Sequence, residues 1–296
     1  MRKHCSFHNT TAIRYWITIA GITLALFGSV FQSALLGQES SKSVRYNGET
    51  ISLHYKYRRA GNELLLFIHG LACSKESFYD AWKYKSLKKY SLLAVDLPGF
   101  GKSGRPDNFS YSLYDHAGVL YELIRNASHK KIHIVGHSMG GAIAVLLAGK
   151  NPKRFASLMN VDGCLGSQNG SQQQQLSPPT FEEFSEKLVL RIEKAKGTPE
   201  ESGYRLWYQW SRATDPFGFQ KTDESLIQLT RSGKIIEAFF SLPIKKVYFY
   251  PERDGMPHAL KNARNIKTIQ ISASGHFIMN DNPKEFYETL AKELAR

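Results

Sequence analysis

The sequence predicts an α/β protein with a mainly parallel, doubly wound sheet and an inserted, mostly helical lid. Short strands that are apolar on both faces alternate with stretches of helical spacing, which is typical of a parallel sheet covered by helices on two sides. The alternation is interrupted between about residues 164 and 243 by a stretch of different composition. At 296 residues, with no internal repeat, the chain fits one catalytic-sized domain with an insertion.

The predicted elements follow a regular order. A hairpin is predicted over residues 43–57, around the turn Asn47-Gly48. Apolar strands are then predicted at residues 63–70, 131–136, 157–163, 245–251 and 266–272, and residues 90–104 are predicted as a strand that runs into a Gly/Pro turn. Helical spacing appears at residues 76–87, 112–127, 139–150 and 282–296. Because ligands gather beyond the carboxyl ends of parallel strands, the residues that follow each strand are the ones expected to carry chemistry.

The first 37 residues have the layout of an export segment. Arg2, Lys3 and Arg14 precede the uncharged apolar run Tyr15–Phe31. Cleavage after Gly37 would make the segment a signal peptide. Without cleavage it would be a membrane anchor, since a spanning helix needs about 20 apolar residues. Either alternative predicts an exported protein that is secreted, periplasmic or membrane-anchored.

The charge is strongly basic beyond this segment as well. The whole chain carries a formal net charge of +13, and after residue 37 there remain 36 basic against 26 acidic side chains, a net of +10. The basic residues form only short clusters, such as Lys83, Lys85, Lys88 and Lys89, and no long basic stripe studded with aromatic residues appears. This pattern argues against a nucleic-acid partner and leaves an anionic membrane surface or a merely solvated surface as the alternatives.

The three cysteines, Cys5, Cys73 and Cys164, have neither metal-site spacing nor the number that a disulfide framework requires. We therefore expect small buried thiols and no metal site. A bridge between Cys73 and Cys164, which both follow predicted strands, is the less favoured alternative.

A serine lies between glycines where a predicted strand turns into a predicted helix. The segment Gly136-His137-Ser138-Met139-Gly140 has the G-x-S-x-G pattern of a nucleophile elbow, in which small flanking residues permit a strained backbone at the serine. The helix amino terminus favours the negative charge that develops during attack on a carbonyl. Ser138 is therefore the candidate nucleophile.

Two further strand ends supply candidate partners. His69-Gly70-Leu71 follows one strand, and the Leu71 amide is expected to form an oxyanion hole with the amide of Met139. Gly275-His276 follows the last predicted strand, where the imidazole can reach Ser138 and accept its proton.

At these residues the chain resembles the alpha/beta-hydrolase superfamily, in its lidded, single-domain, esterase- and lipase-like branch. The shared motifs are "HG" at residues 69–70, "DLPGFGKS" at 96–103, "GHSMGG" at 136–141 and "GH" at 275–276. The resemblance covers residues 43–296 except the stretch of about 164–243, and it implies the hydrolase fold. Members that act as epoxide hydrolases or dehalogenases place aspartate at the elbow, so Ser138 argues against those two activities.

The resemblance implies a catalytic triad of Ser138, His276 and an acid, and it leaves the identity of the acid open. The family usually places its acid after the seventh strand, which corresponds to Asp254, and some members place it after the sixth, which corresponds to Asp162. Asp254 is the favoured assignment, with Asp162 as the alternative and Glu252 as a further one, because any of these carboxylates could orient the imidazole.

The predicted lid begins with the polar stretch 166–177, continues with an amphipathic helix over 180–197 and then carries an aromatic cluster: Tyr204, Trp207, Tyr208, Trp210, Phe217 and Phe219. These rings would line an apolar acyl pocket or pack the lid onto the body. The sequence thus predicts a serine hydrolase that cleaves a carboxylic ester or related acyl substrate without a cofactor. A carbon–carbon bond hydrolase or lyase with the same triad is the alternative, and a non-catalytic binding protein is a third reading.

Overall fold

The central sheet arises from strands whose alternate side chains enter two separate hydrophobic clusters. A computed structural model describes residues 37–166, 179–261 and 263–296. In the strand Glu63–Ile68, named β3, the side chains of Leu64, Leu66 and Ile68 enter one cluster, whereas those of Leu65 and Phe67 enter the other. Because successive side chains of a strand point to opposite faces, a strand that is apolar throughout must be covered on both sides.

The described residues form one sheet of eight strands in the order β1-β2-β4-β3-β5-β6-β7-β8. The strands from β4 to β8 across the sheet pair in parallel, and β1 and β2 are antiparallel at one edge. The strands are β1 Gln38–Tyr46, β2 Glu49–Arg58, β3 Glu63–Ile68, β4 Ser91–Val95, β5 Lys131–His137, β6 Phe155–Val161, β7 Lys245–Pro251 and β8 Lys267–Ile271. The prediction of a mainly parallel α/β sheet is confirmed.

Helices cover both faces of this sheet. Those of the described residues are α1 Leu113–Ile124, α2 Met139–Lys150, α3 Phe181–Lys194, α4 Glu201–Ser211, α5 Pro216–Arg231, α6 Lys234–Ser241, α7 Ile278–Asp281 and α8 Pro283–Leu294. Buried side chains of α1, α2 and α6 belong to one hydrophobic cluster, and those of α4, α7 and α8 belong to the other. The sheet is therefore doubly wound.

The amino-terminal hairpin and the segment after β3 differ in detail from the sequence-based expectation. Asn47 and Gly48 form the turn with φ of 50° and 86°, and β1 begins at Gln38, five residues before the predicted start of the domain. The helix predicted over 76–87 is a 3₁₀ helix at Lys75–Lys83 and a shorter one at Lys85–Leu87. The extended backbone of Tyr84 (φ −83°, ψ 120°) separates the two.

Among the described residues between β6 and β7, four helices are inserted, α3 to α6. Thr180 begins α3 with a reciprocal capping box to Glu183, and Phe184, Leu188 and Ile192 bury one face of this helix. The amphipathic helix expected over 180–197 is thus present. The predicted export segment up to residue 36 and most of the polar stretch 166–177 lie outside the described residues. Of the helices that the structure describes, none is both long and apolar enough to cross a membrane.

Candidate active site

Ser138 occupies a sharp turn between β5 and α2. Its backbone has φ 53° and ψ −122°, an unfavourable conformation for a residue with a side chain. The turn needs close backbone approach on both sides: a Cβ on Gly136 would lie 2.4 Å from the Gly140 carbonyl oxygen, and a Cβ on Gly140 would lie 2.3 Å from that of Ile68. Only glycine fits at these two positions, which explains why the sequence places glycines around the serine.

The Ser138 side chain is partly exposed at the carboxyl edge of the sheet, and its neighbours come from β6. The Ser138 amide donates to the Val161 carbonyl at 3.1 Å. Its Oγ lies 3.7 Å from Sγ of Cys164, a residue that no sequence motif marks as functional. Burial raises the pKa of the Cys164 thiol to about 12, so this thiol stays protonated at neutral pH and is a poor nucleophile. Cys73 and Cys164 are both free thiols.

His276 is hydrogen-bonded to an aspartate at the end of the neighbouring strand β6. Its Nδ1 donates to Oδ2 of Asp162 at 2.7 Å. Asp162 has φ 44°, and its amide donates to the Phe249 carbonyl at 2.8 Å, so the backbone that carries the carboxylate is held at the strand end. With the Nδ1 proton directed at the carboxylate, Nε2 of a neutral imidazole carries the free lone pair. This arrangement suits a general base.

The sequence favoured Asp254 as the partner of His276, but the structure places Asp162 and not Asp254 against the imidazole. Asp254 lies exposed in the turn after β7, while the two residues before it are bonded elsewhere. Glu252 Oε2 accepts from the Ala273 amide at 2.8 Å, and the Arg253 amide donates to the Ser274 carbonyl at 3.3 Å. The turn after β7 therefore braces the loop that carries His276, and the carboxylate comes from the strand adjacent to β5.

His137 lies beneath His276 as a second imidazole that the sequence analysis left unassigned. Its Nε2 donates to the His276 carbonyl oxygen at 2.8 Å, and the two ring centroids are 4.7 Å apart. Full burial lowers the pKa of His137 well below its usual value, so the ring is neutral and serves as a hydrogen-bond donor. His137 thus fixes the backbone of the histidine loop.

The loop after β3 lies beside the serine. A Cβ on Gly70 would lie 3.1 Å from Cβ of Ser138, which places the next residue, Leu71, at the entrance to the site. His69 organises this loop, since its Nε2 accepts from the Leu97 amide at 3.0 Å. Met139 is the first residue of α2, where amides lack partners within the helix. Of the two residues predicted to form the oxyanion hole, Met139 thus follows Ser138 in sequence, and Leu71 follows the glycine that packs against Ser138.

The inserted helices contact this loop through an aromatic residue. The Trp207 indole N–H donates to the Leu71 carbonyl at 2.9 Å, and its ring packs 5.3 Å from Phe277. Of the six aromatic residues singled out in the insertion, Trp207, Trp210 and Phe219 are buried, Tyr204 is partly buried, and Tyr208 and Phe217 are exposed. Trp207 and Trp210 pack the insertion onto the body at Phe277, whereas Phe219 packs within the insertion against Phe181 and Phe184.

Comparison with known families agrees with this architecture. The family model described as "alpha/beta hydrolase fold" matches residues 63–223, more than half of the chain. The chain belongs to the alpha/beta hydrolase fold family. The match includes the elbow at Ser138 and the loop of Leu71, as well as Asp162.

Individual alpha/beta hydrolases are similar to parts of the chain. Lipase 1 of Psychrobacter immobilis is 39% identical over 110 residues, which cover 36% of this chain and 34% of the lipase. The uncharacterized hydrolase YugF of Bacillus subtilis is 29% identical over 116 residues, which cover 39% of this chain and 42% of that protein. The chain therefore matches well under half of the length of these relatives.

Among solved alpha/beta hydrolases, a thermophilic esterase from Thermogutta terrifontis superposes with a TM-score of 0.70 at 18% identity, over 87% of this chain and 98% of the esterase. At that identity the likeness concerns the fold alone. Within the residues that the structure describes, no group of three or more His, Cys, Asp or Glu side chains is arranged to hold a metal ion.

Proposed function

We propose that the chain is a serine hydrolase that cleaves a carboxylic ester or a related acyl substrate through an acyl-enzyme intermediate. The observation that carries this proposal is the pairing of His276 with Asp162, 2.7 Å apart, at the sheet edge where the strained elbow presents Ser138. A nucleophile, a base and a group that orients the base are thus contributed by three strand ends of one fold.

In the proposed reaction, Nε2 of His276 removes the Ser138 hydroxyl proton as Oγ attacks the substrate carbonyl carbon. The resulting oxyanion accepts hydrogen bonds from the amides of Leu71 and Met139. When the tetrahedral intermediate collapses, the bond to the leaving oxygen breaks and His276 gives that oxygen the proton. Water then attacks the acyl-enzyme with His276 again as the base, releasing the acid and restoring Ser138.

Asp162 contributes orientation and charge. Its carboxylate holds the Nδ1–H, so Nε2 keeps the free lone pair, and it stabilises the imidazolium that forms during attack. The nearby Cys164 thiol, kept protonated by burial, does not compete with Ser138 as a nucleophile. An apolar acyl group is supported by the buried rings of Trp207 and Phe277 beside the site and by the likeness to a lipase.

Turnover of p-nitrophenyl esters of increasing acyl length, from acetate to decanoate, tests the proposal. We expect a rapid initial burst of nitrophenol, equivalent to the enzyme concentration, where hydrolysis of the acyl-enzyme is slower than its formation. Ser138→Ala should abolish both burst and turnover while circular dichroism shows an unchanged fold. If the wild-type chain cleaves none of these esters, or if Ser138→Ala retains the activity, the ester-hydrolase proposal is wrong. The carbon–carbon hydrolase or lyase alternative would then be favoured.

A further inference from the structure

An open groove of about 630 Å³ lies between the 3₁₀ segment after β3 and the last helix, α8. It is lined by four lysines, one glutamate and small or aromatic residues: Lys83, Tyr84, Lys85, Ser86, Lys89, Glu288, Ala291, Lys292 and Ala295. We call the groove with Lys83, Lys85, Lys89 and Lys292 the four-lysine groove. Its charge is strongly positive, and its four ammonium groups are on exposed residues.

The four-lysine groove lies at the edge of the sheet opposite the candidate site. Lys89 comes two residues before β4 begins, and a second cavity joins it to Asn62 and Glu63 at the amino end of β3. Ser138, Asp162 and His276 instead follow the carboxyl ends of parallel strands. The groove is therefore a surface that the proposed reaction does not use.

Few acidic groups offset the lysines. Among the acidic side chains that the structure describes, only Asp80 lies within ion-pair distance of the four, with its Oδ1 at 2.6 Å from Nζ of Lys83. Lys85, Lys89 and Lys292 make no ion pair within the described part of the chain, and Glu288 supplies the one carboxylate of the groove lining. Such a surface attracts a polyanionic partner.

The chain enters the described domain beside the same surface. Gly37 lies directly against the Trp82 indole, which precedes Lys83 in sequence. The 36 residues before Gly37 contain the uncharged apolar run Tyr15–Phe31. A segment of this composition that sits in a bilayer would hold the four-lysine groove close to the lipid headgroups, since only a few residues separate the run from Gly37.

We infer that the four-lysine groove docks onto the anionic phospholipid headgroups of the bilayer that holds the amino-terminal apolar segment. The lysine ammonium groups contact headgroup phosphates, and the groove receives the headgroups that project from the leaflet. In this orientation the carboxyl edge of the sheet and the inserted helices α3 to α6 face away from the bilayer. The candidate active site is then open to the aqueous side.

Amine acetylation of the full chain in lipid nanodiscs tests this orientation. Acetylation of each lysine is followed by mass spectrometry in discs of phosphatidylcholine and in discs with 30% phosphatidylglycerol. We expect the four groove lysines to react at least about fivefold more slowly in the anionic discs, and high salt to remove the difference. Equal rates in both discs, or selective protection of the exposed lysines of the insertion, would overturn the proposal.

Two matched variants and an inorganic anion serve as controls for the lipid-docking proposal. K83Q/K85Q/K89Q/K292Q removes the groove charges, and K187Q/K194Q/K196Q/K234Q removes four exposed charges from the insertion. Hydrogen exchange of residues 84–89 should be slowed by anionic discs in the wild type and in the insertion variant, but not in the groove variant. If 10 mM phosphate with phosphatidylcholine discs slows exchange as much as anionic lipid, the groove is a small-anion site and the lipid assignment is wrong.

Discussion

At the scale of single residues, the choice of Asp162 depends on which strand lies next to the nucleophile. β6 lies beside β5 in the sheet, so the residue that follows β6 is adjacent to the elbow at Ser138. β7 is one strand further away, and its following turn is occupied by Glu252 and Arg253, which hold the histidine loop. The sequence contains both aspartates after apolar strands. The sequence alone does not show which of the two contacts His276, because that contact depends on the distances between strand ends.

Paired substitutions at the two aspartates check this assignment. Asp162→Asn should lower ester turnover by about 10⁴-fold with little change in the fold, since an amide at this position favours the wrong imidazole tautomer. Asp254→Asn, on an exposed turn, should leave turnover within about twofold of the wild type, as is usual for a surface change away from the reacting groups. The reverse pattern in steady-state assays would restore Asp254 as the acid.

At the scale of elements, the insertion and the loop after β3 are joined by the Trp207 hydrogen bond to the Leu71 carbonyl. The sequence predicted that the aromatic residues of the insertion either line a pocket or pack it onto the body. It could not show which ring reaches the oxyanion loop, because that contact joins residues 136 positions apart in the chain.

Trp207→Phe should destabilise the chain by about 1 kcal/mol or more, through loss of the indole N–H bond and some packing. Amide exchange of residues 70–73 should become faster, and kcat for an ester should fall if this loop positions the Leu71 amide. Trp210→Phe is the matched control, since Trp210 also packs near Phe277, at 6.2 Å, but its side chain makes no hydrogen bond to residues 70–73. Equal loop exchange in the two variants would contradict the proposed coupling.

Asp281, in the short helix α7, ties down the histidine loop by accepting from the Gly275 amide at 3.0 Å. Burial raises its pKa from 3.8 to about 6, so the native state holds its proton more tightly than the unfolded chain. This tighter proton binding adds to the free energy of unfolding below about pH 4, and the contribution is lost as the pH rises to about 6.

Asp281→Asn removes this titration. The free energy of unfolding of the variant, minus that of the wild type, should therefore rise by about 2 kcal/mol between pH 4 and pH 7. Urea denaturation of both proteins across this range measures the difference. Asp254→Asn, which alters an exposed carboxylate, serves as the control. A stability difference for Asp281→Asn that stays constant with pH would show that Asp281 does not titrate as described.

At the scale of the whole molecule, hydrophobic patterning was enough to predict the layered α/β fold. Strands such as β3 and β4 are largely apolar on both faces, and this pattern requires cover on two sides whatever the neighbouring strands are. The elbow was also predictable, because Gly136 and Gly140 are needed wherever a strand turns sharply into a helix around Ser138.

Other features depend on long-range packing and could not be predicted in the same way. The support of the His276 backbone by His137 and the contact of Cys164 with Ser138 each join residues far apart in sequence. No local pattern marks either contact. The predicted export segment lies outside the described residues and stays a prediction.

Reaction of the folded chain with a fluorophosphonate probe, followed by peptide mapping, tests whether Ser138 is an activated nucleophile. We expect one probe per chain on Ser138, no labelling of Ser138→Ala and much slower labelling of Asp162→Asn than of Asp254→Asn. A native chain that stays unlabelled, or that carries the probe on another residue, would show that Ser138 is not the activated nucleophile.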